Sequence, residues 1–149
     1  MKKLVAVIVA LAVVAGLAYA ISQGMLPGIH HTDRHIIIRQ TQRFFECLQF
    51  KEYEEAANFH NEEDRKLADI PKLIEQLFKI PPEQLDIQEY NLLFAEIDSS
   101  GILGRVETKC AAKVLNTEEI KRPEIILYWK KEGDKWNLKL RSSLERFGR

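Results

Sequence analysis

The chain has 149 residues, 22 of them basic and 22 acidic, for a formal net charge of zero with histidine neutral. That balance excludes the basic footprint that nucleic-acid binding requires. Two cysteines, with no CxxC pair or other metal-ligand spacing, exclude a cysteine-based metal scaffold.

The first element is apolar. Lys2 and Lys3 precede an uncharged run of 18 residues, Leu4 to Ile21. At about 1.5 Å per residue the run spans roughly 27 Å, close to the ~30 Å hydrocarbon core of a bilayer. Two readings fit. As a retained single-span anchor, residues 1–21 stay in the inner membrane. As a signal peptide, Ala18-Tyr19-Ala20 is an A-x-A cleavage site and the mature chain begins at Ile21. The length of the run makes the anchor the leading expectation. Both readings keep Lys2 and Lys3 in the cytoplasm and export the body. The short basic start and small size suggest a bacterial protein with a periplasmic or extracellular body. No cysteine follows the run for lipoprotein-type acylation.

Residues 22–33 read as a linker, with Gly24, Pro27 and Gly28 discouraging regular structure. The next 34–142 are long enough for one domain and too short for two. Thr32 or Asp33 can cap a first helix, 34–49, whose apolar stripe is Ile37, Thr41, Phe44, Phe45 and Leu48. A short second helix, 51–60, puts Tyr53, Ala56, Ala57 and His60 on one side, with Phe59 beside them. Asn61 can cap a third helix carrying Leu67 and Ile70. Pro71 interrupts it and restarts it behind Asp69, and Pro81-Pro82 ends the helical half.

From residue 86 the period changes to two. A mixed-phase strand, 86–97, leads through the turn Asp98-Ser99-Ser100-Gly101 to the clearest strand of the chain, 104–114. There Val106, Thr108, Cys110, Ala112 and Val114 form one face, and charged residues much of the other. A polar loop, 116–122, precedes strand 124–131. Glu132-Gly133-Asp134 then turns the chain into strand 135–142, with Trp136, Leu138 and Leu140 inward. Residues 143–149 read as a tail. The expected class is α+β, with about three helices packed on an antiparallel sheet of about four strands.

Few residues point to chemistry. His30, His31 and His35 with Asp33 have partial metal-ligand spacing, but a metal site needs further ligands, and a polar juxtamembrane segment accounts for them. His60 beside Glu62, Glu63 and Asp64 reads as a helix boundary with acids at the next N-terminus. Trp129 and Trp136 read as hairpin packing. Lys130, Lys131, Lys135, Lys139 and Arg141 read as a solvated hairpin face rather than a headgroup patch. Cys47 and Cys110 sit in an exported body, where a disulfide is chemically permitted; two separate buried thiols are the simpler expectation. No catalytic set, metal or cofactor is expected.

Helices carrying FFECLQFKEYEEAANFH, followed by antiparallel strands ending in ILYWKKEGDKWNLKL, resemble the nuclear-transport-factor-2-like superfamily, a cystatin-like, cone-shaped α+β fold. The matching parts are the aromatic-rich first helix, the run Tyr53-x-x-Ala56-x-x-Phe59, and the last hairpin with Trp136 after Gly133-Asp134. The resemblance covers about residues 33–142. It implies a curved sheet enclosing a cavity, with Tyr53, His60, Tyr90 and Tyr128 as candidate lining residues. Some members are ketosteroid-isomerase-like, cyclase or dehydratase enzymes; many exported members are binding, dimerisation or accessory domains. The resemblance brings no catalytic residue onto this chain.

The functional expectation is a non-catalytic, membrane-tethered accessory domain that docks a protein partner, or a second copy, on its sheet face. The alternatives are a small-ligand binder or isomerase-type enzyme using the cavity, and a single-span subunit of a larger membrane complex.

Overall fold

The computed structural model describes residues 31–67 and 69–147. The chain divides into two units, Met1–Thr32 and Asp33–Arg149, and the fold below is that of the second. Among the described residues no helix is long and apolar enough to cross a membrane; the expected span, 4–21, lies outside them.

Four helices come first: α1 (His31–Gln49), α2 (Tyr53–Ala57), α3 (Glu62–Leu67) and α4 (Ile70–Phe78). The stripe expected on α1 is the one it buries. Ile37, Thr41, Phe44, Phe45 and Leu48 are all buried, each apolar one contributing about 1.5–3 kcal/mol by leaving water. The helix begins at His31, so Asp33 lies in its first turn instead of capping it. The Asn61 cap forms as the sequence indicates, its Oδ1 accepting from Asp64 N at 2.7 Å. So does the Asp69 cap, whose carboxylate accepts from Lys72 N at 3.2 Å, with Pro71 in the first turn. Helix α4 ends on Lys79, held left-handed at φ 55 with its N–H bonded to Glu75 O at 2.8 Å.

The sheet has five antiparallel strands: β1 (Leu85–Ile97), β2 (Leu103–Val114), β3 (Ile120–Lys121), β4 (Glu124–Glu132) and β5 (Lys135–Leu138). The order is β1-β2-β4-β5, with the two-residue β3 paired to β2, and β1 forms a free edge. Strand β3 falls within the expected polar loop. On β2 the expected inward face is buried from Gly104 to Val114. The mixed phase of β1 has a simple cause. The register with β2 slips between Ile87 and Glu89 and again between Leu92 and Phe94, adding one residue each time. Each bulge flips the alternation, so Leu85 and Ile87, then Tyr90 and Leu92, then Ala95 and Ile97 face inward.

Core polar groups are mostly paired. Trp129 Nε1–H donates to Thr41 Oγ1 at 3.1 Å, joining α1 to the sheet. Trp136 Nε1–H donates to Asp33 Oδ1 at 3.0 Å, and Lys131 Nζ sits 2.9 Å from the same carboxylate. Gly104 lets α1 approach: a Cβ there would meet Ile37 Cδ1 at 2.9 Å and Ile97 Cδ1 at 3.0 Å. Gly133, at φ 63, opens the two-residue turn between β4 and β5.

One expectation needs correction. The last strand stops at Leu138, and residues expected as strand end and tail form α5 (Leu140–Phe147). Lys139 N bonds Tyr128 O at 2.7 Å and Tyr128 N bonds Ser143 Oγ at 3.1 Å, so the α5 start takes the place a longer β5 would fill. Cys47 and Cys110 are free, buried thiols, the simpler of the two arrangements their sequence allowed, and the alternative disulfide is not formed. Cys47 leans toward α2, its sulfur within 4.8 Å of carboxylate oxygens of Glu52 and Glu55, whereas Cys110 lies in β2 opposite Tyr90.

Candidate functional site

Two features of the second unit face solvent with unusual chemistry: a cleft and an apolar hairpin. The cleft holds about 1070 Å³. One wall is α4, which presents Asp69, Lys72, Leu73 and Gln76 at helical spacing while Ile70, Ile74, Leu77 and Phe78 face the core. His60 and Asp64 add to it from the α3 region. The remaining walls come from Glu96 and Asp98 at the end of β1, Leu103 to Arg105 on β2, Tyr128 to Lys130 on β4, and Lys139 to Ser142 at the start of α5.

Most charges in the cleft are committed. Arg105 Nε lies 2.6 Å from Glu96, and Lys139 Nζ lies 2.5 Å from Asp64. Lys139 also reaches Glu132 at 3.8 Å, where Asn61 and Asn137 donate to the same carboxylate. Asp98 accepts from Ser100 Oγ at 2.6 Å and from Leu103 N, and these bonds hold its carboxyl below the usual range. His60 is only 4% exposed. Its Nδ1 lies 3.3 Å from Ala57 O, and its Nε2 has no partner among the described residues. Burial pushes the imidazole below its ordinary value; Asp64 opposes this and Lys139 adds to it. Asp64, in the same lining, is ion-paired with Lys139.

Of the four residues expected to line a cavity, the structure brings His60 and Tyr128 to this cleft. Tyr53 and Tyr90 are elsewhere. Tyr53 donates its hydroxyl to Pro82 O at 3.1 Å, and burial raises its phenol. Tyr90 stacks on Phe45 at 5.1 Å and donates to Gln42 O at 3.4 Å. Tyr53 therefore ties α2 to the turn before β1, and Tyr90 ties α1 to the sheet.

The second feature is the end of the β1–β2 hairpin. Leu93, Phe94, Ile102 and Leu103 are 53, 44, 48 and 48% exposed. Phe94 and Leu103 share the face away from α1, with the Arg105 guanidinium 5.8 Å from the Phe94 ring. Leu93 is the extra residue of the second bulge. Helix α1 covers parts of the β1 backbone: Gln49 donates to Ile87 O at 3.0 Å and Arg34 to Ala95 O at 2.8 Å. Strand β1 carries Asp86, Glu89 and Glu96 and no basic residue.

Other candidates resolve into structure. His30 and the side chain of His31 lie outside the described residues, His35 is exposed, and Asp33 is bound to Lys131 and Trp136. Around Cys47, the carboxylates of Glu55 and Glu52 already meet Arg43 at 2.8 and 3.9 Å. Burial, then those acids, raises the Cys47 thiol; burial alone pushes Cys110 up to about 12.

No protein-family model matches the chain, and no curated protein matches it. Among solved structures it is similar to the solution structure of a SEC-C motif-containing protein from Rhodopseudomonas palustris, at 16% identity and a TM-score of 0.50. That match covers 63% of this chain and 67% of the other, and at such identity it speaks for the α+β fold alone.

Proposed function

We propose that this chain is a non-catalytic accessory domain of nuclear-transport-factor-2-like type, tethered by residues 4–21 to the outer face of the inner membrane, where its β1–β2 hairpin docks a protein partner. The observation that supports this is the exposed quartet Leu93, Phe94, Ile102 and Leu103 at the end of the β1–β2 hairpin, the first two of them on the edge strand β1. An edge strand with exposed apolar side chains invites pairing unless something covers it. A different protein fits better than a second copy. Edge-to-edge pairing of two β1 strands would oppose acids with acids, whereas a partner segment bearing apolar and basic side chains meets both features of the edge.

Burying the exposed half of each side chain is worth roughly 1 kcal/mol, so two charged replacements remove about 2 kcal/mol, a roughly thirtyfold weakening of a micromolar contact. The test is native electrophoresis of membranes solubilised in mild detergent. The chain migrates in a complex, and Leu93→Asp/Ile102→Asp releases it. A wild-type chain migrating alone, or a complex indifferent to the substitutions, contradicts the proposal. A second reading, a small-ligand binder, is favoured by one observation: the partnerless Nε2 of buried His60 in the cleft wall.

A further inference from the structure

We infer that the cleft is the deep end of the docking surface that begins at the β1–β2 hairpin, and that it takes apolar, uncharged side chains from the segment of partner protein seated on Phe94 and Leu103. This rests on the docking reading proposed above and extends it beyond the hairpin.

The two features share one face of the sheet. Leu103 and Arg105 on β2 pair in register with Lys130 and Tyr128 on β4, and all four line the cleft. Leu103 is also one of the exposed hairpin side chains. Arg105 makes the remaining link. Its guanidinium stands 5.8 Å from the Phe94 ring, and its Nε lies 2.6 Å from Glu96, another cleft residue. Phe94, Arg105 and Glu96 therefore lead from the hairpin into the cleft.

Area argues that one partner uses both. Phe94 and Leu103 lie on that face, each about half exposed. At about 200 Å² for a large apolar side chain, the pair offers on the order of 200 Å². A standard interface takes ~800 Å² from each partner, roughly 450 Å² of it apolar. The contiguous cleft, holding about 1070 Å³, supplies the surface that the hairpin lacks.

The occupant's chemistry follows from what the cleft leaves open. Its charges answer one another: Arg105 meets Glu96, Lys139 meets Asp64 and Glu132, and Lys130 meets Glu132. Asp69 and Asp98 accept from backbone N–H groups. Counted with Glu132, the basic and acidic side chains of the lining balance, so neither sign of charge is selected. Apolar surface is what remains: Leu73 on α4 and Tyr128 on β4 are partly exposed, beside the half-exposed Leu103. Apolar side chains of a partner cover it and leave water in doing so.

The test is photocrosslinking of the full chain in native membranes, with a benzophenone amino acid in place of Leu93 or of Gln76, the exposed α4 residue of the cleft wall. Mass spectrometry of the crosslinked peptides identifies the partner and the residues joined. Both positions are expected to reach one segment of one partner, with uncharged residues joined at position 76. Leu73→Asn should lower both yields about fivefold, the loss of one partly buried apolar side chain. Lys72→Gln/Arg141→Gln should leave both unchanged. An adduct from position 93 alone, or one from position 76 to a different protein or a second copy of this chain, overturns the shared surface and leaves the hairpin reading standing. Charged residues joined at position 76, or loss of that adduct in Lys72→Gln/Arg141→Gln, overturns the apolar chemistry. No adduct from either position overturns both readings. If Leu73→Asn does not fold, the mapped adduct from position 76 decides the same point.

Discussion

Replacing Thr41 by valine removes one hydroxyl from the centre of the domain and leaves its shape nearly intact. That hydroxyl accepts from Trp129 Nε1–H at 3.1 Å, and both residues are fully buried. The valine methyl recovers some apolar burial, but the indole N–H is left in a dry core with no acceptor. Such an orphaned donor costs about 1–3 kcal/mol. In a domain of this size about 2 kcal/mol lowers Tm by roughly 6–12 °C. The partner supplies the control. In a Trp129→Phe background no donor exists to orphan, so Thr41→Val there should be neutral or slightly stabilising. A double-mutant cycle by urea titration of the full chain in mild detergent measures the difference. The chain has two tryptophans, so Trp136 still reports unfolding in the Trp129→Phe variants. The same cost for Thr41→Val in both backgrounds would refute the bond as the link between α1 and the sheet.

Gly104→Ala should destabilise by about 1 kcal/mol, the low end for overpacking, because the crowded atoms are the tips of Ile37 and Ile97; Ile37→Val should relieve part of that in a thermal melt. Cys47 and Cys110 should both resist Ellman's reagent at pH 8 in the folded chain and both react in urea without added reductant; a thiol count of zero in urea would mean a disulfide. His60 binds its proton more readily in the unfolded chain than in the fold. Stability should therefore fall as pH drops through 6.5 and level off below the folded value, and His60→Gln should flatten that slope in melts between pH 5 and 7 relative to wild type.

The helical half was legible because its signals are local. The α1 stripe, the Asn61 and Asp69 caps and the stop at Pro81-Pro82 each depend on residues within a few positions. The β2 phase was legible for the same reason. Strand β1 was blurred because two bulges shift its alternation, and a bulge leaves no mark in composition. Helix α5 was hidden because Trp136, Leu138 and Leu140 continue a period of two past the point where the strand ends. The spacing of Leu140, Leu144 and Phe147, four then three, was the available clue. Asn137, read as outward, is buried because it joins Asn61 and Lys139 around Glu132, a cluster gathered across some seventy residues of chain. The cleft is likewise tertiary: residue spacing alone does not bring His60, Lys72 and Arg141 to one lining. The exposed quartet was visible as apolar residues, but the exposure of Leu93 and Phe94 follows from the second bulge on the edge strand.

The most direct measurement of the central claim is site-specific photocrosslinking in native membranes, with a benzophenone amino acid placed at Leu93 and, separately, at Glu118 in the exposed loop before β3. A single discrete adduct from position 93, absent from position 118 and lost with Ile102→Asp, is the predicted result. Crosslinking of equal strength at both positions, or none at 93, would contradict a partner docked on the hairpin.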